Sequence, residues 1–263
     1  MDVVSAKART QADDRRIEGH GTPEAVWQSW ECLKTLPEGS LADLFPAHRR
    51  VVVVAPHPDD ELLGCGGTLA MLAREGREIV VVGVTDGEAS HPGSTRFSPR
   101  ALGAARRAER QSGLRALGLD GSSQRLGLPD GGITAAEPSL ARSLETLLVP
   151  DDIVVSTWRL DGHPDHEAAG RAAAAAARGC GCVIHEMPIW MWHWAAPGDP
   201  RVPWQRLLRV PIDVEAQARK SHAIAAHESQ LLPDGDRDPI LPAWALERVQ
   251  RTFEYFFADV GHP

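Results

Sequence analysis

Apolar runs and amphipathic stretches alternate along this chain. Four successive valines, Val51–Val54, predict a strand over Val51–Ala55 buried on both faces, as in a parallel sheet. A helix from about Glu61 to Arg74 follows, closed by Gly76, and Glu78–Thr85 predicts a second strand. After an exposed loop, ASHPGSTRF, Ser98-Pro99 opens a long helix that ends at Leu117, before Gly118. The pattern continues with a short strand near Gln124–Leu128, a turn at Pro129–Gly132, a helix over Ala136–Val149 and a strand over Asp152–Trp158. An Ala-rich helix, Glu167–Arg178, comes next. Val183–Met187 and Leu207–Pro211 read as strands, and helices near Val214–Glu228 and Ala243–Phe257 complete the chain. This alternation predicts an α/β, Rossmann-like fold: a mostly parallel sheet with helices on both faces and right-handed crossovers.

Ahead of the first strand, residues 1 to about 20 are polar and are expected to be loosely ordered. Thr22-Pro23-Glu24 has the chemistry of a helix start, and Val26, Trp27, Trp30 and Leu33 form a stripe able to dock on the main body before Pro37-Glu38-Gly39. With no repeat and no linker, we read a single domain over 1–263, with 1–46 as an N-terminal extension that includes the docking helix.

Composition narrows the function classes. The chain has 263 residues, 43% of them hydrophobic, a formal net charge of −8 and a pI near 5.8. An acidic balance argues against nucleic acid or anionic membranes as partners, since both require clustered Lys and Arg. The Arg-rich segment Arg100–Arg115 is broken by Ala, Gly and Glu and reads as a solvated helix face. The N-terminal stretch lacks an apolar signal core and no segment reaches transmembrane length, so a cytoplasmic protein is expected, with homo-oligomerisation left open. The four cysteines lack framework or zinc-site spacing.

Two polar knots carry the chemistry. Pro56-His57-Pro58-Asp59-Asp60-Glu61 follows the first strand, and Asp161-Gly162-His163-Pro164-Asp165-His166 follows the strand ending at Trp158. The acids could merely cap helices, but capping does not explain prolines flanking an imidazole. Both knots lie between a strand and a helix, hence at the carboxyl edge of a parallel sheet, where they can face each other across a crevice. Together they bring His57, Asp59, Asp60, His163, Asp165 and His166. Groups so crowded repel one another unless a cation sits among them. A catalytic zinc takes three N or O ligands and keeps one position open, which would leave a carboxylate and an imidazole to move protons.

At these residues the chain resembles the PIG-L/LmbE-type de-N-acetylases, on PHPDDE at Pro56–Glu61 and HPDH at His163–His166. TDGEA at Thr85–Ala89, RRAER at Arg106–Arg110, LGLPDGG at Leu126–Gly132 and KSHAIAAHESQ at Lys220–Gln230 extend the likeness over about Val51–Gln230. The resemblance implies a zinc-dependent amidohydrolase on a Rossmann-like fold, Zn2+ being replaceable by another divalent metal, that acts on a small N-acetylated substrate, an amino sugar or a sugar-containing metabolite. It implies His57, Asp60 and His166 as metal ligands and Asp59 as the general base. His163 is then the imidazole at the oxyanion or leaving amine, with Asp165 orienting a neighbouring histidine. Asp130 falls where the family contacts a sugar hydroxyl.

The residues also admit three other readings. A nucleotide-binding Rossmann module is suggested by Gly64-x-Gly66-Gly67, but those glycines come too late after the strand. The alternatives within the fold are an amidase acting on a thiol conjugate or natural product, and a non-catalytic sugar-binding module. For the substrate face, Arg96 in the loop after the second strand, Asp130, and Trp190 and Trp192 are the candidates. Trp190, Trp192 and Trp194 would share one face of an extended segment, where they either wall the substrate or pack on the C-terminal helix with Trp204.

Overall fold

The computed structural model describes residues 15–258, so the polar start at 1–14 lies outside the described residues. Three short helices come first: α1 (Glu24–Ser29), α2 (Glu31–Lys34) and α3 (Leu41–Leu44). The main body then runs β1 (Val51–Ala55), α4 (Asp60–Arg74), β2 (Ile79–Thr85), α5 (Pro99–Leu117), β3 (Ser123–Leu128), α6 (Ile133–Leu147), β4 (Ile153–Thr157), α7 (Pro164–Cys180) and β5 (Val183–Met187). It closes with α8 (Met191–Trp194), β6 (Leu207–Pro211), α9 (Val214–Ala225), α10 (Glu228–Leu231), α11 (Ala243–Glu247) and β7 (Phe253–Ala258).

The strands form one seven-stranded sheet in the order β3-β2-β1-β4-β5-β7-β6. β1 to β5 are parallel, whereas β7 runs antiparallel to both β5 and β6. The chain walks outward from β1 to β3 and then returns to lay β4 on the other side of β1. That reversal opens a crevice beyond the carboxyl ends of β1 and β4. The register sets Val51 level with both Ile79 and Ile153, so the loops after β1 and β4 leave the sheet side by side.

β1 is buried on both faces, as its composition requires. Val51 and Val53 join Leu62, Leu69 and Leu72 of α4 and Ile224 of α9 in one cluster, and Val52 and Val54 join Ala168, Ala172 and Ala176 of α7 and Leu140 and Leu144 of α6 in another. Each buried valine contributes about 1.5–3 kcal/mol. Small residues on α7 let it lie close to the sheet. A Cβ on Gly170 would sit 2.5 Å from the Thr157 carbonyl oxygen, so glycine there sets how near the helix, and with it His166, approaches β4.

Two expectations fail. The helix expected over Ala243–Phe257 ends at Glu247, and Phe253–Ala258 is instead β7, wedged between β5 and β6. Phe253-Glu254-Tyr255-Phe256-Phe257 is an aromatic run that fits a pleated, two-sided environment, and burial there outweighs helical spacing. Likewise, α8 makes Met191–Trp194 helical rather than extended, so Trp192 is turned away from the side that carries Trp190 and Trp194. Trp192 is buried against Trp27 and Tyr255, Trp194 stacks on Trp158, and Trp190 reaches the crevice.

The N-terminal stripe docks, though in two pieces. The chain turns extended at Trp30 between α1 and α2. Trp27 is fully buried and donates Nε1–H to the Trp192 carbonyl at 3.0 Å, Leu33 is buried, and Val26 is 41% exposed. Thr22 does not cap α1; its hydroxyl donates to the Ala195 carbonyl at 2.6 Å.

Candidate active site

The loop after β1 is held by its neighbour strand: the Pro56 carbonyl accepts from Thr85 N at 3.0 Å and Thr85 Oγ1 at 2.8 Å. Asp60 is the first residue of α4, and its Oδ2 accepts the His57 backbone N–H at 2.8 Å, which fixes the carboxylate beneath the loop. In the second loop His163 occupies the N-cap of α7 and its Nδ1 accepts from Asp165 N at 3.2 Å. That acceptance leaves the proton of neutral His163 on Nε2.

The two loops meet. Asp60 Oδ2 is 3.2 Å from His57 Nδ1, and Asp60 Oδ1 is 3.2 Å from His166 Nε2. His57 Nε2 lies 3.3 Å from Asp130 Oδ1 and 3.4 Å from Asp165 Oδ2. Two overlapping donor groups result, His57 with His163 and His166, and His57 with Asp130 and Asp165, each with its ligand atoms within 4.8 Å of one another. Asp59 stands beside them on the cavity wall, and its Oδ2 accepts from Arg106 Nη2 at 3.0 Å. Asp165 is fully buried, and its oxygens take the Gly131 and Ile133 amides at 2.8 and 3.1 Å, joining the turn before α6 to the site.

The electrostatics follow from this crowding. Burial opposes charge on His57, yet hydrogen bonds to Asp130, Asp165 and Asp60 outweigh it and raise its pKa well above the usual imidazole range. Burial likewise opposes charge on His166, but Asp60 and Asp161 carry its pKa up to about 9. His163 goes the other way: burial, then the positive neighbours His166 and His57, lower its pKa to about 3. Burial pushes Asp60 upward, but the two histidines hold it well below the usual carboxylate range.

Do these residues fit a metal? His166 decides the question. Its Nδ1 lies 2.8 Å from Asp161 Oδ2, which directs the Nδ1 proton to that carboxylate and turns the Nε2 lone pair toward Asp60. Nε2 is fully buried with no well-formed hydrogen bond and faces a carboxylate oxygen 3.2 Å away, so positive charge belongs between them, carried by a proton on the imidazole or by a metal ion that takes the proton's place. Two imidazoles and a carboxylate are the N and O donors that divalent metals of the zinc type accept. The fit is good, and this His/Asp group is able to hold a divalent metal.

Three features of the site have no clear signature in the sequence. Asp161 is fully buried; besides His166 it accepts the amides of Ile189, Trp190 and Met191 at 2.9–3.0 Å, and its carbonyl takes Trp194 Nε1 at 2.7 Å. Its place five residues before His166 is the only hint in the sequence. Arg106 and Arg110, read as part of a solvated face, are buried at 3% and 6% exposure; Arg110 grips Glu61 through Nε and Nη2 at 2.8 and 3.1 Å. A helix can be amphipathic through buried ion pairs as well as through leucines, and composition does not separate the two. The far wall of the cavity, which includes Ile240 and Trp244, carries no motif.

Of the candidate substrate residues, Asp130 and Trp190 line the cavity with His57, Asp59, Asp60 and His163. Asp130 also accepts from the Ala89 amide at 2.8 Å. Arg96 does not reach it: the side chain is exposed and lies over Phe97, 4.9 Å from the ring centre. Trp192 is also excluded, being part of the Trp27 cluster in the core.

Residues 52–177 match the family described as PIG-L: GlcNAc-PI de-N-acetylase. Over 218 residues the chain is 31% identical to the 1D-myo-inositol 2-acetamido-2-deoxy-alpha-D-glucopyranoside deacetylase 2 of Saccharopolyspora erythraea, spanning 72% of this chain and 76% of that protein. It is 29% identical over 192 residues to the "Probable N-acetyl-alpha-D-glucosaminyl L-malate deacetylase 2" of Bacillus cereus, spanning 69% and 84%. Several further curated relatives align over about half of their own length. A solved structure, a conserved protein of Thermus thermophilus, superposes with a TM-score of 0.58 at 27% identity over 82% of this chain and 96% of that one. With both signature loops at the switch point of the sheet and these relatives alongside, the chain belongs to the PIG-L family of de-N-acetylases.

Proposed function

We propose that the chain is a zinc-dependent N-deacetylase that hydrolyses the acetamide of an amino sugar or sugar-bearing metabolite to acetate and a free amine. One observation carries the reading: His57 and Asp60, with His166 buried directly behind Asp60, form an N,N,O donor set on a cavity that is also lined by an additional carboxylate, Asp59, and an additional imidazole, His163. A binding module has no use for those two. The names of the relatives support the substrate class, since both describe 2-acetamido sugars.

His57, Asp60 and His166 would hold the metal, which when bound supplies Lewis acidity that polarises a carbonyl and makes water more acidic. Asp59 is the general base. Arg106 holds its Oδ2, leaving Oδ1 to take the proton of the water that attacks the amide carbon. His163, protonated on Nε2, donates to the oxyanion that forms as the carbonyl opens, and the proton held by Asp59 passes to the departing nitrogen as the C–N bond breaks. Asp165 positions both histidines, His163 through its backbone amide and His57 through its side chain. Asp130 and Trp190 offer an acceptor and an aromatic face to the sugar.

The test is acetate release over N-acetylated sugars, glycoconjugates and non-sugar amides, with metal content measured in parallel. Asp59→Asn should keep the metal and lose about 10²-fold or more in turnover, whereas Asp60→Asn should lose metal affinity. Equal metal loss in both variants would reverse or merge the two roles. If Asp130→Asn lost the metal and Asp60→Asn kept it, the ligand set would be the His57/Asp130/Asp165 group instead.

A further inference from the structure

The cavity over the site measures ≈ 1060 Å³. That is the top of the roughly 300–1,000 Å³ range for small-molecule sites. A hexosamine whose acetamide lies between Asp59 and His163 fills only one end of it.

The rest of the lining is mostly apolar, with His20, His193 and Asp238 interspersed, and is assembled from three distant segments. Ile17 comes from the stretch before α1, Trp190 from the turn into α8, and Ile240, Leu241, Pro242 and Trp244 from the start of α11. Part of this wall is open to solvent: Ile240 is 39% exposed, and Trp190 and Trp244 are half-buried. Trp244 is braced from behind by the Arg248 guanidinium, 4.9 Å from its ring centre, and edge-on by His20, 5.1 Å away.

Charge selects what can occupy that wall. Asp60 and Asp130 face His57, which with a bound metal would offset them; the remaining carboxylates of the lining are Asp59 and Asp238, and its single arginine is Arg106. Arg106 is committed to Asp59 and to the Gly87 carbonyl, both at 3.0 Å. Arg248 is likewise spent, on the carbonyls of Thr22 and His20 and on His193 Nδ1. Among the described residues the cavity thus offers no uncommitted guanidinium or ammonium. A phosphate or carboxylate seated on that wall would lose its water and find no such cation to pair with.

We infer that the substrate is an N-acetylhexosamine glycoside whose aglycone is neutral and apolar, aryl or alkyl, seated on the wall formed by Trp190, Ile240 and Trp244. The inference rests on the deacetylase reading for its sugar end. Its aglycone end stands on wall chemistry alone.

Four matched ligands decide it: free N-acetylglucosamine, its phenyl glycoside, its octyl glycoside and its 4-carboxyphenyl glycoside. The readouts are kcat/KM for acetate release by the zinc-loaded protein and Kd for the metal-free protein from tryptophan fluorescence. The phenyl and octyl glycosides should exceed the free sugar by about tenfold or more in both readouts, as burial of a ring or chain on an apolar wall implies. The carboxylate should cancel that gain. Trp244→Ala and Ile240→Ser should each narrow the ratio of phenyl glycoside to free sugar, in kcat/KM and in Kd. Equal handling of free sugar and phenyl glycoside, or preference for the carboxylated one, would overturn the inference. No acetate from any ligand would sink the deacetylase reading, and the Kd series would then judge the apolar wall by itself.

Discussion

Helix α4 is broken one turn after Asp60, at Cys65 (φ −145°, ψ 21°), and a buried ion pair repairs the break. On one side Lys220 Nζ donates to the Leu63 carbonyl at 3.0 Å. On the other, Glu254 of β7 accepts the Gly67 and Thr68 amides, each at 2.7 Å, and the two side chains meet at 2.7 Å. Lys220 and Glu254 are 1% and 2% exposed. Lys220→Met keeps the stem that packs past Gly66 but removes the ammonium, leaving the carboxylate with two amide donors and taking the Lys220 donor from the Leu63 carbonyl. Removing one partner of such a pair costs about 3–5 kcal/mol. Urea unfolding of the metal-free protein, with m near 3 kcal/mol/M, should therefore show a midpoint lower by about 1 M or more at unchanged m. Because α4 begins at Asp60, metal affinity should fall as well. Glu254→Gln should cost a similar amount, and the double variant should fall short of the sum by about 0.5–3 kcal/mol. A loss below about 1 kcal/mol for Lys220→Met, or strict additivity, would refute the reasoning, since either means that the charges are not coupled.

Asp161→Asn should weaken metal binding about 10–100-fold with little change in fold, because His166 loses the carboxylate that orients it; competition with a chelator measures this, and unchanged affinity would leave Asp161 merely structural. Trp27→Ala should cost about 3–5 kcal/mol, read as a lower unfolding midpoint, since the N-terminal helix is anchored by that indole; a loss under about 1 kcal/mol would mean that the extension rests on the body without supporting it. Burial raises the pKa of Asp86, but hydrogen bonds from Arg125 and Arg107 overcome it and leave the folded value below the ordinary carboxylate range. A folded value below the unfolded one gives stability that is full above the unfolded pKa of about 3.9 and is lost as pH falls through the folded value. The difference in unfolding midpoint between wild type and Asp86→Asn should thus shrink from pH 5 to pH 2, and a constant difference would mean that the Arg pairs contribute nothing to the folded state.

Much of the molecule is written locally. Val51–Val54 admit only a strand covered on both faces, Ser98-Pro99 and Gly118 mark the ends of α5 by backbone chemistry, and prolines around His57 stop the first strand in a fixed loop. Two polar knots, each between a strand and a helix, sufficed to place both at one edge of the sheet, and the carboxyl-edge crevice between β1 and β4 is where they lie. What the sequence left undecided depends on partners distant along the chain. Phe253–Phe257 becomes a strand because β5 and β6 offer it edges, and Trp192 becomes core because Trp27 arrives from the N-terminal extension. Arg106 and Arg110 turn inward because Asp59 and Glu61 wait there, and Asp161 matters because it reaches His166 and the amides of three residues beyond β5 at once. Propensity and spacing act over a turn of helix or a pair of strands. Burial of a charge, the docking of an aromatic ring and the making of a cavity wall are settled only when segments far apart in sequence meet, and that meeting belongs to the tertiary structure.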